Sequence, residues 1–96
     1  MCTVRLLVED GQAGDRLCLR SCGSGSCSSH TLWTEPSAVF GFLPPGGYVL
    51  TLTRGARRLC LVLELPPGGN VILRCHLAEG WCRWRRDPCR SFLNAT

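Results

Sequence analysis

The residues with the most chemistry to offer in this 96-residue chain are its eight cysteines, at Cys2, Cys18, Cys22, Cys27, Cys60, Cys75, Cys82 and Cys89. A thiol can ligate a metal, run redox chemistry, join a disulfide or serve as a small buried apolar group. No two of them form a Cys-x-x-Cys unit, which argues against a thioredoxin-like centre and against common zinc fingers. Cys22 and Cys27 have four residues between them across a Gly/Ser stretch, and Cys82 and Cys89 have six. Those four are the candidate zinc set, with His30 or His76 as a substitute ligand. Cys18, Cys60 and Cys75 lie inside alternating apolar runs and read as small buried side chains. Cys2, Cys22, Cys27, Cys82 and Cys89 read as exposed thiols, and they are the candidate cross-linking residues between subunits. Eight cysteines allow roughly a hundred full pairings, so spacing alone assigns none.

Other reactive groupings are weaker. A Ser-His-Asp set can be drawn from the Ser24–Ser29 group, His30 and Asp15, but no strand-to-helix nucleophile elbow holds it. Cys75 and His76 are adjacent on a strand and so point to opposite faces. All eleven basic residues are Arg, which removes Schiff-base chemistry, a phosphate-loop lysine and Lys–Asn isopeptide bonds. Carboxylates are sparse, and the expectation is a protein that is not an enzyme and has no catalytic or cofactor-binding residues. The segment Glu79–Arg90 sets Trp81 and Trp84 among Arg83, Arg85, Arg86 and Arg90. Such a segment can stack on bases, settle at a membrane interface, or pack on its own domain with the guanidinium heads in solvent. Packing or subunit contact is the favoured reading, making Trp81, Trp84, Arg85 and Arg86 candidate interface residues. Asn94-Ala95-Thr96 matches a glycosylation sequon by chance in the absence of a secretory signal.

The elements that must position these groups are strands. The phrase Leu-Pro-Pro-Gly-Gly occurs at Leu43–Gly47 and again at Leu65–Gly69. Pro presets φ and the following Gly takes the positive φ of a type II turn, so each copy launches a strand. Between them, Tyr48–Thr53 and Arg58–Leu65 are separated by a hairpin-length loop, Arg54–Arg57, and Val39–His76 reads as an antiparallel meander. Thr3–Asp10, Arg16–Cys22, Thr31–Trp33 and Ala38–Leu43 are further strand-like runs, and Asn70–Leu77 is the last clear one. No helix is convincing before Ala78. The fold class is all-β, a single antiparallel β-sandwich of about seven short strands over residues 1–77. An irregular Trp/Arg/Cys-rich tail, 78–96, packs on it or on a neighbour. Arg58–Leu65 is partly apolar on both faces, which points to a partner for its second face.

An aromatic-x-aromatic-Leu-Pro-Pro-Gly-Gly-Tyr segment followed by an alternating strand resembles the transthyretin-like family of small β-sandwiches. These are the domains called carboxypeptidase-regulatory-like or Cna-B-type, found in surface proteins, pilins and stalks. Phe40, Phe42, Leu43, Pro45, Gly46 or Gly47, Tyr48, Leu50 and Leu52 carry the resemblance, with Val4–Glu9 as the first strand. It implies a structural or adhesive module, usually extracellular. The chain departs from the family in lacking the isopeptide lysine, a secretion signal and a sortase motif, so any covalent hardening falls to cysteine.

The formal net charge of +4 fits solubility or a preference for acidic partners and does not by itself assign a nucleic-acid partner. No secretory signal and no membrane span are expected, although the cysteine density is that of an extracellular scaffold. A subunit made in the cytoplasm and released to a cell, spore or virion surface reconciles the two. The expected function is a structural subunit that self-assembles by strand-edge and tail contacts, with itself as partner and nucleic acid not expected as one. The alternatives are a cytosolic zinc-stabilised module whose tail contacts nucleic acid or protein, and a carbohydrate-binding sandwich using Trp33 and Tyr48 as platforms.

Overall fold

Residue alternation builds eight strands: β1 Cys2–Val8, β2 Arg16–Ser21, β3 Cys27–Thr31, β4 Ser37–Leu43, β5 Gly46–Arg54, β6 Arg57–Leu65, β7 Asn70–His76 and β8 Trp81–Arg86. The computed structural model of the chain describes residues 1–86. Two four-stranded sheets result, in the orders β4-β1-β7-β8 and β3-β2-β5-β6. Their apolar faces meet in one sandwich core. Val4, Leu6 and Val8 from β1 and Val71, Leu73 and Cys75 from β7 face Leu17, Leu19, Leu50 and Leu52 of the second sheet, all buried. Leu32 and Leu77, just beyond β3 and β7, are also buried.

The repeated Leu-Pro-Pro-Gly-Gly phrases do more than turn the chain. Each carries it from one sheet to the other, from β4 to β5 and from β6 to β7. In the second copy the Gly69 amide bonds the Pro66 carbonyl at 3.0 Å and Gly68 has φ 68°, the type II arrangement that Pro67-Gly68 favours. In the first copy β5 begins at once at Gly46, whose φ is 135°, and the buried Tyr48 hydroxyl donates to the Pro44 carbonyl at 2.6 Å.

The meander expected over Val39–His76 is therefore corrected. Only β5 and β6 form a hairpin there, while β4 and β7 flank β1 in the other sheet. The β1–β7 ladder is parallel, Thr3 to Val8 matching Asn70 to Cys75; every other pair is antiparallel. The two crossings bring β7 back alongside β1, which a run of hairpins cannot do. The strand count is eight because the supposed irregular tail contributes β8, paired with β7 from His76↔Trp81 to Val71↔Arg86. The boundary expected at Leu77 thus falls inside a hairpin; the rest of the segment, 87–96, lies outside the described residues.

The sandwich has two lateral sides. β3 and β4 are joined by the short Leu32–Pro36 link and share one side. On the other, the Arg57 guanidinium at the start of β6 bonds the Ala78 carbonyl just before β8.

Candidate functional site

The cysteines sort differently from their sequence pattern. Cys18 bonds Cys27 across the β2–β3 ladder, Cα atoms 6.5 Å apart, and Cys75 bonds Cys82 across β7–β8 at 4.0 Å. The hairpins dictate both. Cys75 and Cys82 are directly opposed, whereas Cys27 opposes Arg20 and so lies diagonal to Cys18 on the same face. Cys18, read as a buried apolar residue, is half-buried on the outer face of the second sheet, and Cys60 is exposed there. Cys2 is the reverse case: it is fully buried and its thiol donates to the Pro66 carbonyl at 3.0 Å. The exposed free thiols among the described residues are Cys22 and Cys60.

The four-cysteine zinc set is not assembled. Cys27 and Cys82 have disulfide partners and lie in different sheets, and Cys89 lies outside the described residues. Among the described residues, no three of His, Cys, Asp and Glu converge in a way that could hold a metal ion. His30 is exposed on the edge strand β3. Asp15 is taken by Arg54 and by the Gln12 amide, and Ser24 and Ser26 bond each other. Tyr48 is buried, which removes it as a stacking platform for sugars; Trp33 is exposed.

Trp81 is held within its own hairpin. It stacks on His76 with centroids 5.8 Å apart, donates from Nε1 to Glu79 at 2.7 Å, and carries the Arg83 guanidinium 5.0 Å above its ring. Trp84, Arg85 and Arg86 stand on β8 opposite Leu73, Ile72 and Val71.

The end of the sandwich is closed by a polar knot. Arg54, at the end of β5, bonds Asp15 through Nε and Nη2 at 2.8 and 2.7 Å and Asp10 through Nη1 at 3.2 Å. Asp10 also accepts from the amides of Leu77 and Ala78 at 2.8 and 2.9 Å. Burial would raise the Asp10 carboxyl, but these amides and the guanidinium outweigh it and lower its pKa to about 2. The Arg54 bonds, against a smaller opposing effect of burial, also hold Asp15 below the usual carboxylate range. The knot joins the β1–β2 turn, the β5–β6 hairpin and the β7–β8 turn.

Two features lie on the lateral sides. Between Val4↔Phe40 and Cys2↔Leu43, β4 has one residue more than β1, a bulge that exposes Gly41 and Phe42 in succession. Phe42 has φ 56° and is 87% exposed. An aromatic residue in the left-handed region is rare, and strain of this kind marks functional positions. Across the molecule, β6, an edge strand among the described residues, borders a groove of about 260 Å³ lined by Leu61, Val62, Leu63, Glu64, Leu65 and Val71. Leu59 and Leu61 are only partly covered there, and Val62 is 75% exposed. Sequence pattern gave no sign of the exposed Phe42, since strict alternation puts Phe42 on the same inward face as Phe40; only the extra residue turns it out.

No protein-family model, curated protein or solved structure matches this chain.

Proposed function

We propose that the protein is a non-enzymatic structural subunit that assembles head to tail through its two lateral sides. The observation that carries this reading is Phe42, 87% exposed on a bulged edge strand at φ 56°. A cavity of ~150 Å³ accepts a benzene ring, so the β6 groove of about 260 Å³ can take a phenyl side chain from a second copy. The knob and the groove lie on opposite sides of one molecule. A contact between two different patches of the same chain repeats without closing unless the rotation forms a ring, and so builds a filament. The edges of β4 and β6, unpaired among the described residues, add backbone hydrogen-bonding groups to each contact.

Among the described residues, Cys22 and Cys60 are the exposed thiols available for hardening the assembly; Cys89, also a cross-linking candidate, lies outside them. The two intrachain disulfides suit use in an oxidising environment, and the resemblance to surface and stalk modules supports the same reading. The test is sedimentation velocity of the non-reduced protein with its free thiols alkylated, over a range of concentrations, beside Phe42→Asn, which keeps the left-handed backbone and removes the ring. A concentration-dependent ladder lost in the variant supports the proposal; equal behaviour of the two proteins contradicts it.

A further inference from the structure

The outer face of the second sheet, which the assembly groove reaches only along β6 at Val62 and Glu64, carries unpaired positive charge. Cross-strand register puts Arg16, Thr53 and Arg58 in one row and Arg20, Val49 and Val62 in another, and the three arginines are exposed. Elsewhere arginines are engaged. Arg54 binds Asp10 and Asp15, Arg74 binds Glu9, Arg57 binds the Ala78 carbonyl, and Arg83 lies over Trp81. Among the residues whose side chains are described, Arg16, Arg20 and Arg58 have no hydrogen-bond or ion-pair partner, a state that Arg5 shares on the other sheet.

A second copy supplies too little counter-charge for the face. Glu9, Asp10 and Asp15 are ion-paired within the chain. Among the described carboxylates that leaves Glu35, Glu79, whose bond comes from the neutral Trp81 indole N–H, and Glu64, which belongs to the same sheet face. The partner is therefore a different, anionic molecule. Its dimensions follow from sheet geometry. Four strands ~4.8 Å apart and four same-face rows ~6.7 Å apart span about 14 × 20 Å, a patch of roughly 300 Å². A folded protein partner typically needs ~800 Å² with an apolar centre, whereas the row between the arginines is Cys18, Thr51 and Cys60, with Val49 and Val62 beside Arg20. A duplex is a stiff rod on this length scale, and a flat face touches it along one line. A flexible single strand meets neither obstacle. Arg16 and Arg58 stand two strands apart, ~10 Å, and Arg16 and Arg20 four residues apart, ~13 Å, so one draped backbone can reach all three.

We infer that this face binds the phosphate backbone of single-stranded nucleic acid without sequence preference. Guanidinium and hydroxyl donors contact phosphate and position a strand without reading bases, and the face has no aromatic platform for stacking.

The experiment is fluorescence anisotropy with a labelled single-stranded oligo(dT), repeated over a salt series. The proteins are the wild type, Arg16→Ala/Arg20→Ala/Arg58→Ala, and a tail variant with equal charge loss, Arg85→Ala/Arg86→Ala/Arg90→Ala. Each is also made in the Phe42→Asn background, so that loss of assembly and loss of binding are read separately. Three phosphates neutralised on a single strand give a log–log salt slope of about −2. The sheet variant should lose at least ~10-fold in affinity and flatten that slope, while the tail variant keeps most of both. Absence of binding at low salt overturns the inference, as does a loss confined to the tail variant. Equal competition by poly-glutamate at matched anionic charge also overturns it, because an acidic polypeptide would then serve as well as nucleic acid.

Discussion

Arg54 grips Asp15 with two parallel hydrogen bonds, Nε to Oδ1 at 2.8 Å and Nη2 to Oδ2 at 2.7 Å, while its remaining nitrogen reaches Asp10. Asp15 is 2% exposed, so this is a buried, fork-on-fork pair of the kind only Arg makes. Removing one partner strands a buried charge. Arg54→Ala should cost ~3–5 kcal/mol in chemical denaturation, and Arg54→Lys should recover only part of it. A loss below ~1 kcal/mol would show that the knot is incidental to stability.

The same knot sets an acid limit. Asp10 has a folded pKa of about 2 against an unfolded value near ~3.9. A depressed carboxylate stabilises the fold above its unfolded pKa and loses that contribution as pH falls through the folded one. The shift corresponds to roughly 2 kcal/mol. Unfolding free energy should therefore drop between about pH 4 and pH 2, and Asp10→Asn should flatten the profile in that window. An unchanged acid slope in the variant would remove Asp10 from the account.

Thiol accessibility should follow burial rather than sequence position. Brief alkylation of native, non-reduced protein is expected to label Cys22 and Cys60, to leave Cys2 untouched until denaturant is added, and to spare Cys18, Cys27, Cys75 and Cys82 until reductant is added. Peptide mapping reads the result. Each short-loop disulfide is worth ~2–3 kcal/mol on the chain-entropy estimate, so Cys75→Ala/Cys82→Ala should lower stability by about that much. Rapid labelling of Cys82 in native protein would refute the assigned pairing.

Phe42 should show a conflict between stability and assembly. A non-glycine residue in the left-handed region costs ~1–2 kcal/mol. Phe42→Gly is expected to raise the stability of the isolated subunit by a fraction of that cost and to weaken self-association at once. A variant that is less stable yet associates normally would mean the ring packs for structure rather than for contact.

Much of the fold was legible because burial imposes a period of two. Val4, Leu6 and Val8 or Val71, Leu73 and Cys75 alternate cleanly, and Pro67-Gly68 specifies its turn locally. Topology was not, because nothing local tells Pro44-Pro45 to cross between sheets instead of closing a hairpin. β8 was hidden by its composition, Trp and Arg in place of aliphatic residues. The pairing of Cys18 with Cys27 and of Cys75 with Cys82 depends on hairpin register. Arg54 meets Asp15 across 39 positions of sequence, and polar residues at strand ends have no periodicity to reveal their partners. The exposure of Phe42 rests on a single inserted residue, which a two-residue repeat conceals.

The head-to-tail contact is tested most directly by sedimentation velocity of the non-reduced, thiol-alkylated wild-type protein with increasing concentration, alone and mixed with Phe42→Asn. Open-ended growth of the wild type, capped when the knobless variant is added because its groove still accepts a Phe42 ring, is the predicted result. A wild type that remains monomeric at every concentration, or grows identically with and without the variant, would contradict the account.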